Sequence, residues 1–167
     1  MLYLGTNGNL PLRADPDLAV EEVESAREAV RQWFSLPIVR FIGANSGCSC
    51  GFPHVVAAEP IEYWDGMFDP GDRRDANLRS VRALLTIIRE HVAASGSVEL
   101  YPVWDGNEHL APKGTIEMSA DWLNPETFLF TEQFLYRVKT EPSDRRAPLS
   151  AERKNVGPTG RISEGVE

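Results

Sequence analysis

Leu78, Val81, Leu84, Leu85, Ile88 and Val92 recur three and four residues apart, the spacing that places side chains on one stripe of an α-helix. This pattern predicts a helix over Asn77 to Ser95, with Asn77 as its N-cap and Gly96 as its left-handed stop. Elsewhere the apolar positions follow the shorter period of strands. Ile38 to Ile42 is rich in β-branched and aromatic residues and ends at Gly43, and Val98 to Trp104 alternates until Asp105-Gly106, a turn pair. Thr115 to Met118 and Thr127 to Val138 read as two further strands, with a helical turn between them capped by Ser119.

The first 34 residues are more ambiguous. From Met1 to Leu12, a short apolar strand, the turn pair Asn7-Gly8 and then Leu10 and Leu12 read as a strand or small hairpin. Leu18 to Val23 alternates like a strand, while Val23, Ala26, Val30 and Trp33 recur at helical spacing. Ser25 with Glu28 three residues on has the form of a capping box, so the chain divides there into a strand and a helix running to about Phe34. Pro37 stops it. Residues His54 to Ala58 read as a strand, and Glu59 to Asp75, with Pro60, Asp65-Gly66, Pro70-Gly71 and a run of carboxylates, as a solvated excursion.

This order predicts an α+β fold, a two-layer sandwich in which a mixed or antiparallel sheet of five to six strands carries helices on one face. Residues 1–139 form the single globular domain. Residues 140–167, rich in proline, glycine and charge, read as a flexible C-terminal tail, because they hold too few apolar side chains to offset their ordering entropy.

Composition agrees with one core: 42% of residues are hydrophobic and 25% charged. The longest apolar run, Ala83 to Ile88, is broken by Thr86 and is far short of a bilayer span. Two cysteines and no basic, apolar leader at the start predict a cytoplasmic protein. The net charge is −8, and residues 1–138 carry 11 basic and 20 acidic side chains, so the acidity belongs to the domain. Phosphate backbones and anionic lipids are repelled by such a surface, which argues against nucleic-acid and membrane partners.

Candidate chemistry is concentrated in Gly47-Cys48-Ser49-Cys50-Gly51-Phe52-Pro53-His54, which holds both cysteines and one of three histidines. Three readings are open. As a metal site, zinc for example, Cys48 and Cys50 supply thiolates and His54 an imidazole, with a fourth ligand from His91, His109 or a carboxylate; a single residue between the cysteines is tighter than the usual knuckle spacing. As a redox pair, the neighbouring thiols exchange with a strained disulfide, with His54 as the nearby base. As packing residues, both thiols are small apolar fillers behind a glycine-rich turn. The burial habit of free cysteine favours the third.

Other signals are weaker. His91 near the end of the long helix suits a cap or surface role, and His109 follows Glu108 in a turn. The acidic excursion lacks the residue order of a calcium loop, and no phosphate-binding loop, dinucleotide fingerprint or nucleophile elbow is present. Trp64, Phe68 and Trp104 fall on loops, where aromatic side chains serve as binding anchors. The leading functional expectation is therefore a binding or interaction module, with a metal-binding or thiol-redox protein as the alternative.

Tyr3-Leu4-Gly5-Thr6, Gly43 with Gly47-Cys48-Ser49-Cys50-Gly51-Phe52, Ser97-Val98-Glu99-Leu100-Tyr101 and Trp104-Asp105-Gly106 together resemble a group of uncharacterised bacterial proteins with a Gly-Cys-Gly-Cys-Gly-Phe loop. The likeness spans most of residues 1–138 and departs from the motif at Ser49, which replaces the middle glycine. It implies a bacterial cytosolic protein and no particular activity.

Overall fold

The computed structural model of the chain describes residues 1–52, 56–57, 74–125 and 130–140. Its strands are β1 (Leu2–Thr6), β2 (Arg13–Ala14), β3 (Leu18–Glu22), β4 (Ile38–Ala44), β5 (Val56–Ala57), β6 (Ser97–Pro102), β7 (Gly114–Ser119), β8 (Phe130–Thr131) and β9 (Phe134–Lys139). One long helix, α1 (Arg74–Ser95), precedes β6, and a nine-residue 3₁₀ helix, Ser25–Trp33, precedes β4. The class is α+β, as the periodicities predict.

Seven strands form one sheet in the order β2-β3-β4-β1-β6-β9-β7, and β5 pairs with β8 in a separate two-stranded sheet. Neighbours in the large sheet run antiparallel except β7 and β9, which are parallel. The count exceeds the five to six strands expected. Arg13–Ala14, too short to carry a period, adds a strand beside β3, while the apolar run Thr127 to Val138 is broken at Gln133, where φ is 63°, into β8 of the small sheet and β9 of the large one. β1 makes no hairpin with the Leu10 region either; its neighbours are β4 and β6.

All five residues of β1 are buried, including Gly5 and Thr6. A strand with one wet face would alternate, so the centre of this sheet is covered on both sides. On one face Leu2, Leu4, Ile42, Val98 and Leu100 pack with Val81, Leu84, Leu85, Ile88 and Val92 of α1. Tyr3, Val39, Phe41 and Tyr101 point the other way and pack with Val30, Val103, Trp33 and Phe34. α1 packs in one of these clusters and the 3₁₀ helix in the other, so the helices do not share one face as the sequence suggested.

Local signals were met unevenly. Gly96 ends α1 with φ +84°, its amide bonded to Val92 O. The Asn77 cap is displaced, because α1 begins at Arg74 and the Asn77 side chain instead accepts from Asn45 Nδ2 at 3.0 Å. No capping box forms at Ser25: the residue before the 3₁₀ helix is Glu24, and no side chain caps it. Ser119 does cap its helical turn, accepting from Asp121 N.

The corner after the 3₁₀ helix is held by a buried carboxylate. Glu99 on β6 accepts from Ser35 Oγ at 2.7 Å, Ser35 N at 2.8 Å and Arg137 Nη2 at 2.9 Å. Burial opposes its charge, yet the Ser35 hydroxyl and the Arg137 guanidinium hold its carboxyl below the ordinary range. Residues 141–167 lie outside the described residues, and with them the expectation of a flexible tail. No helix among the described residues is long and apolar enough to cross a membrane.

Candidate functional site

The cysteine loop leaves β4 and turns back on it at once. Gly47 N donates to Ala44 O at 2.8 Å and Ala44 N to Cys48 O at 3.1 Å. This closure requires glycine twice: Gly47 has φ +74°, and a Cβ on Gly43 would stand 2.6 Å from Gly47 O. Asn45 fastens the loop to α1, its amide donating to Ser80 Oγ at 3.0 Å. A short 3₁₀ turn, Ser49–Gly51, follows, and Phe52 then enters the core.

Within this turn the burial is the reverse of the packing expectation. Cys48 and Cys50 are free thiols and both are exposed. Ser49 between them is the buried residue, 2% exposed, its hydroxyl donating to Ile42 O and accepting from Leu2 N. Ser49 is the first residue of the 3₁₀ turn and Cys48 before it is extended, so with the Ser49 side chain held inward the two flanking thiols project elsewhere, to solvent. Cys50 N donates to Cys48 Sγ at 3.1 Å. Burial, then the bond from the Cys50 thiol, pushes the Cys48 thiol up, which keeps it protonated at neutral pH.

Among the described residues no group of three His, Cys, Asp or Glu side chains is placed to hold a metal ion. His54 lies outside the described residues, so the zinc set of Cys48, Cys50 and His54 is represented by its two thiols alone. His91 is elsewhere, with Nδ1 3.1 Å from Thr6 Oγ1. Trp64 and Phe68 also lie outside the described residues.

Trp104 is 60% exposed and opens a turn closed by Asn107 N to Trp104 O, with Gly106 at φ +89°. The segment behind it is fixed from below by three aromatic donors. Tyr3 OH donates to Glu108 Oε1 at 3.0 Å, Trp33 Nε1 to Glu108 O at 3.0 Å, and Tyr101 OH to Leu110 O at 3.0 Å. Burial and the Glu108 carboxylate push the Tyr3 hydroxyl up, so it stays a donor. Sequence reading passed over Tyr3, Trp33 and Glu108. The available signal was that Tyr and Trp on a buried face need partners for their polar ends.

A cleft of about 260 Å³ opens between this turn and the 3₁₀ helix, lined by Glu24, Arg27, Asp105, Gly106, Glu108 and His109 among others. A second, of about 140 Å³, is lined by Tyr3, Glu22, Glu24, Arg27, Phe41 and Cys48 among others. Glu24 and Arg27 border both. The Trp104 turn and the cysteine loop, unrelated in the sequence, therefore flank one surface.

That surface is acidic. Arg27 is the one described arginine or lysine that lines it, beside the Met1 ammonium, and is already engaged, with Nη1 2.8 Å from Glu24 Oε2, Nη2 3.2 Å from Asp105 Oδ1, and Nε 3.6 Å from Glu108 Oε1. Glu21, Glu22, Glu24, Asp105 and Glu108 surround it. No protein-family model, curated protein or solved structure matches the chain.

Proposed function

We propose that this chain is a binding module that receives a basic segment of a protein partner along the surface between the Trp104 turn and the cysteine loop. The observation that carries the reading is Trp104, a large, exposed aromatic side chain on a turn whose next two residues, Asp105 and Gly106, line a cleft in which carboxylates outnumber the single arginine. A rigid aromatic anchor loses little conformational freedom on binding, and an indole face attracts ammonium and guanidinium groups. The same carboxylates disfavour nucleic acid.

A two-dimensional NMR titration with an arginine-rich peptide tests this. Shifts should concentrate at Arg27, Trp104, Asp105 and Gly106, and an acidic peptide of equal length should produce none. Shifts scattered over the whole acidic surface, or equal for both peptides, would count against a site.

A second reading, a protein of thiol or metal chemistry at Cys48 and Cys50, is favoured by one observation: both thiols face solvent instead of filling the core. Persistent free thiols fit a reducing compartment such as the cytoplasm.

A further inference from the structure

We propose that Cys48 and Cys50 close into a reversible intramolecular disulfide by exchange with a low-molecular-weight disulfide, and that this closure remodels the cleft wall formed by Cys48. The disulfide rests on the thiol reading of the loop, and its effect on the cleft rests on the binding reading as well.

Three features carry it. Both thiols are exposed, so a small disulfide reaches either one. Cys50 N already donates to Cys48 Sγ at 3.1 Å, which brings that sulfur over its neighbour's backbone. Ser49, the residue between them, is in 3₁₀ geometry. One such residue spaces the flanking Cα atoms about 5–6 Å apart, within the range a disulfide spans. Because Ser49 is anchored to Ile42 and Leu2 through its own hydroxyl, the two cysteine side chains can turn toward each other while the core attachment stays in place.

The exchange balances with one disulfide, RSSR, as oxidant. The Cys50 thiol loses its proton and attacks one sulfur of RSSR, forming a mixed disulfide and expelling RS⁻. Cys48, whose thiol is held protonated, then loses its proton to solvent and attacks the Cys50 sulfur, expelling the second RS⁻. Two cysteine thiols are oxidised, one RSSR is reduced, and the two protons released convert two RS⁻ into two RSH. A bridge across a single residue is strained, and strained, exposed disulfides are the readily reduced ones, so the step is reversible. Cys48 shares its cleft with Tyr3, Glu24 and Arg27, so closing the bridge replaces a free thiol of that wall with a sulfur bonded to Cys50.

The native protein should be incubated with oxidised glutathione and followed by mass spectrometry, with free thiols titrated in parallel. The expected product is a monomer that has lost two hydrogens and both titratable thiols, and that excess reduced glutathione restores. Cys48→Ser should stop at a stable glutathione adduct on Cys50, formed faster than the Cys48 adduct of Cys50→Ser, and that difference in rate identifies the order of attack. Thiols that react only after unfolding, or a stable double adduct on the wild-type chain, would overturn the proposal. So would zinc bound near stoichiometry and lost in either cysteine variant. Affinity for the arginine-rich peptide should differ at least threefold between the two redox states, and equal affinities would overturn the coupling. If the disulfide forms but neither state binds the peptide, the binding reading has failed and the disulfide stands; if the peptide binds and no disulfide forms, the failure is of this proposal alone.

Discussion

The hydroxyl of Ser49 donates to the carbonyl of Ile42 at 2.7 Å, and the same oxygen accepts from Leu2 N at 2.8 Å. The β1–β4 ladder ends one residue earlier, at Tyr3 opposite Phe41. One more step of that register would set Leu2 against Ile42. A side chain from the cysteine loop thus stands between two strands where their pairing stops, and the loop is attached to the centre of the sheet through it.

Replacing Ser49 with alanine removes this link and leaves a buried amide and a buried carbonyl short of a partner, which costs about 1–3 kcal/mol. Chemical denaturation should register a loss in that range, with increased hydrogen exchange at Leu2. A change below about 0.5 kcal/mol would show that the hydroxyl only fills space.

Glu99 makes a prediction about pH. Its folded carboxyl is held below the unfolded value, which is about 4.3, so its contribution is fully present above that pH and is lost as the pH falls through the folded value. Wild-type stability should drop on acidification below about pH 4.3. Glu99→Gln should be less stable at pH 7 by about 2–4 kcal/mol, since the Arg137 guanidinium loses its buried counter-charge, and its acid-side slope should be shallower. Denaturation midpoints measured between pH 3 and pH 7 for both proteins decide it.

Ile88 is fully buried against the sheet, whereas Arg79 forms an exposed pair with Asp17. Ile88→Asp should abolish cooperative unfolding, because an unpaired carboxylate in the core costs several kcal/mol against a total of roughly 5–15. Arg79→Ala should shift stability by less than about 1 kcal/mol. Circular dichroism melts of the two variants separate these outcomes.

The long helix was legible because its stripe repeats over about four turns, and Val81, Leu84, Leu85, Ile88 and Val92 are all buried as their spacing implies. Ile87 is buried as well, so the apolar face is wider than the stripe alone suggested. Strand pairing was not legible, since nothing local to Gly114–Ser119 states that it runs parallel to Phe134–Lys139 while that strand also pairs antiparallel with β6. Gln133 in a left-handed conformation had no glycine to announce it; its amide bonds Pro102 O and its carbonyl receives Lys113 N, and these distant contacts stabilise the turn. At the candidate site, the glycines and cysteines marked the loop. The exposure of the thiols did not follow from composition, because it depends on Ser49 reaching two backbone groups that only the fold brings near.

Tyr3→Phe tests how the Trp104 turn is held. Removing a hydroxyl that donates to the buried Glu108 carboxylate should cost about 1.5–3 kcal/mol and should speed amide exchange at Asn107 and Leu110. Unchanged exchange there would mean that the bonds from Trp33 and Tyr101 suffice.

The central claim, recognition of a basic segment beside Trp104, is tested most directly by fluorescence anisotropy of a labelled arginine-rich peptide titrated with wild type and Trp104→Ala. Trp104 is mostly exposed, so the variant should fold with stability within about 0.5 kcal/mol of wild type. The account predicts wild-type binding that weakens with salt and a loss of roughly tenfold in the variant, the scale of a desolvated cation–π contact. Equal affinity for the two proteins, with equal salt dependence, would contradict it.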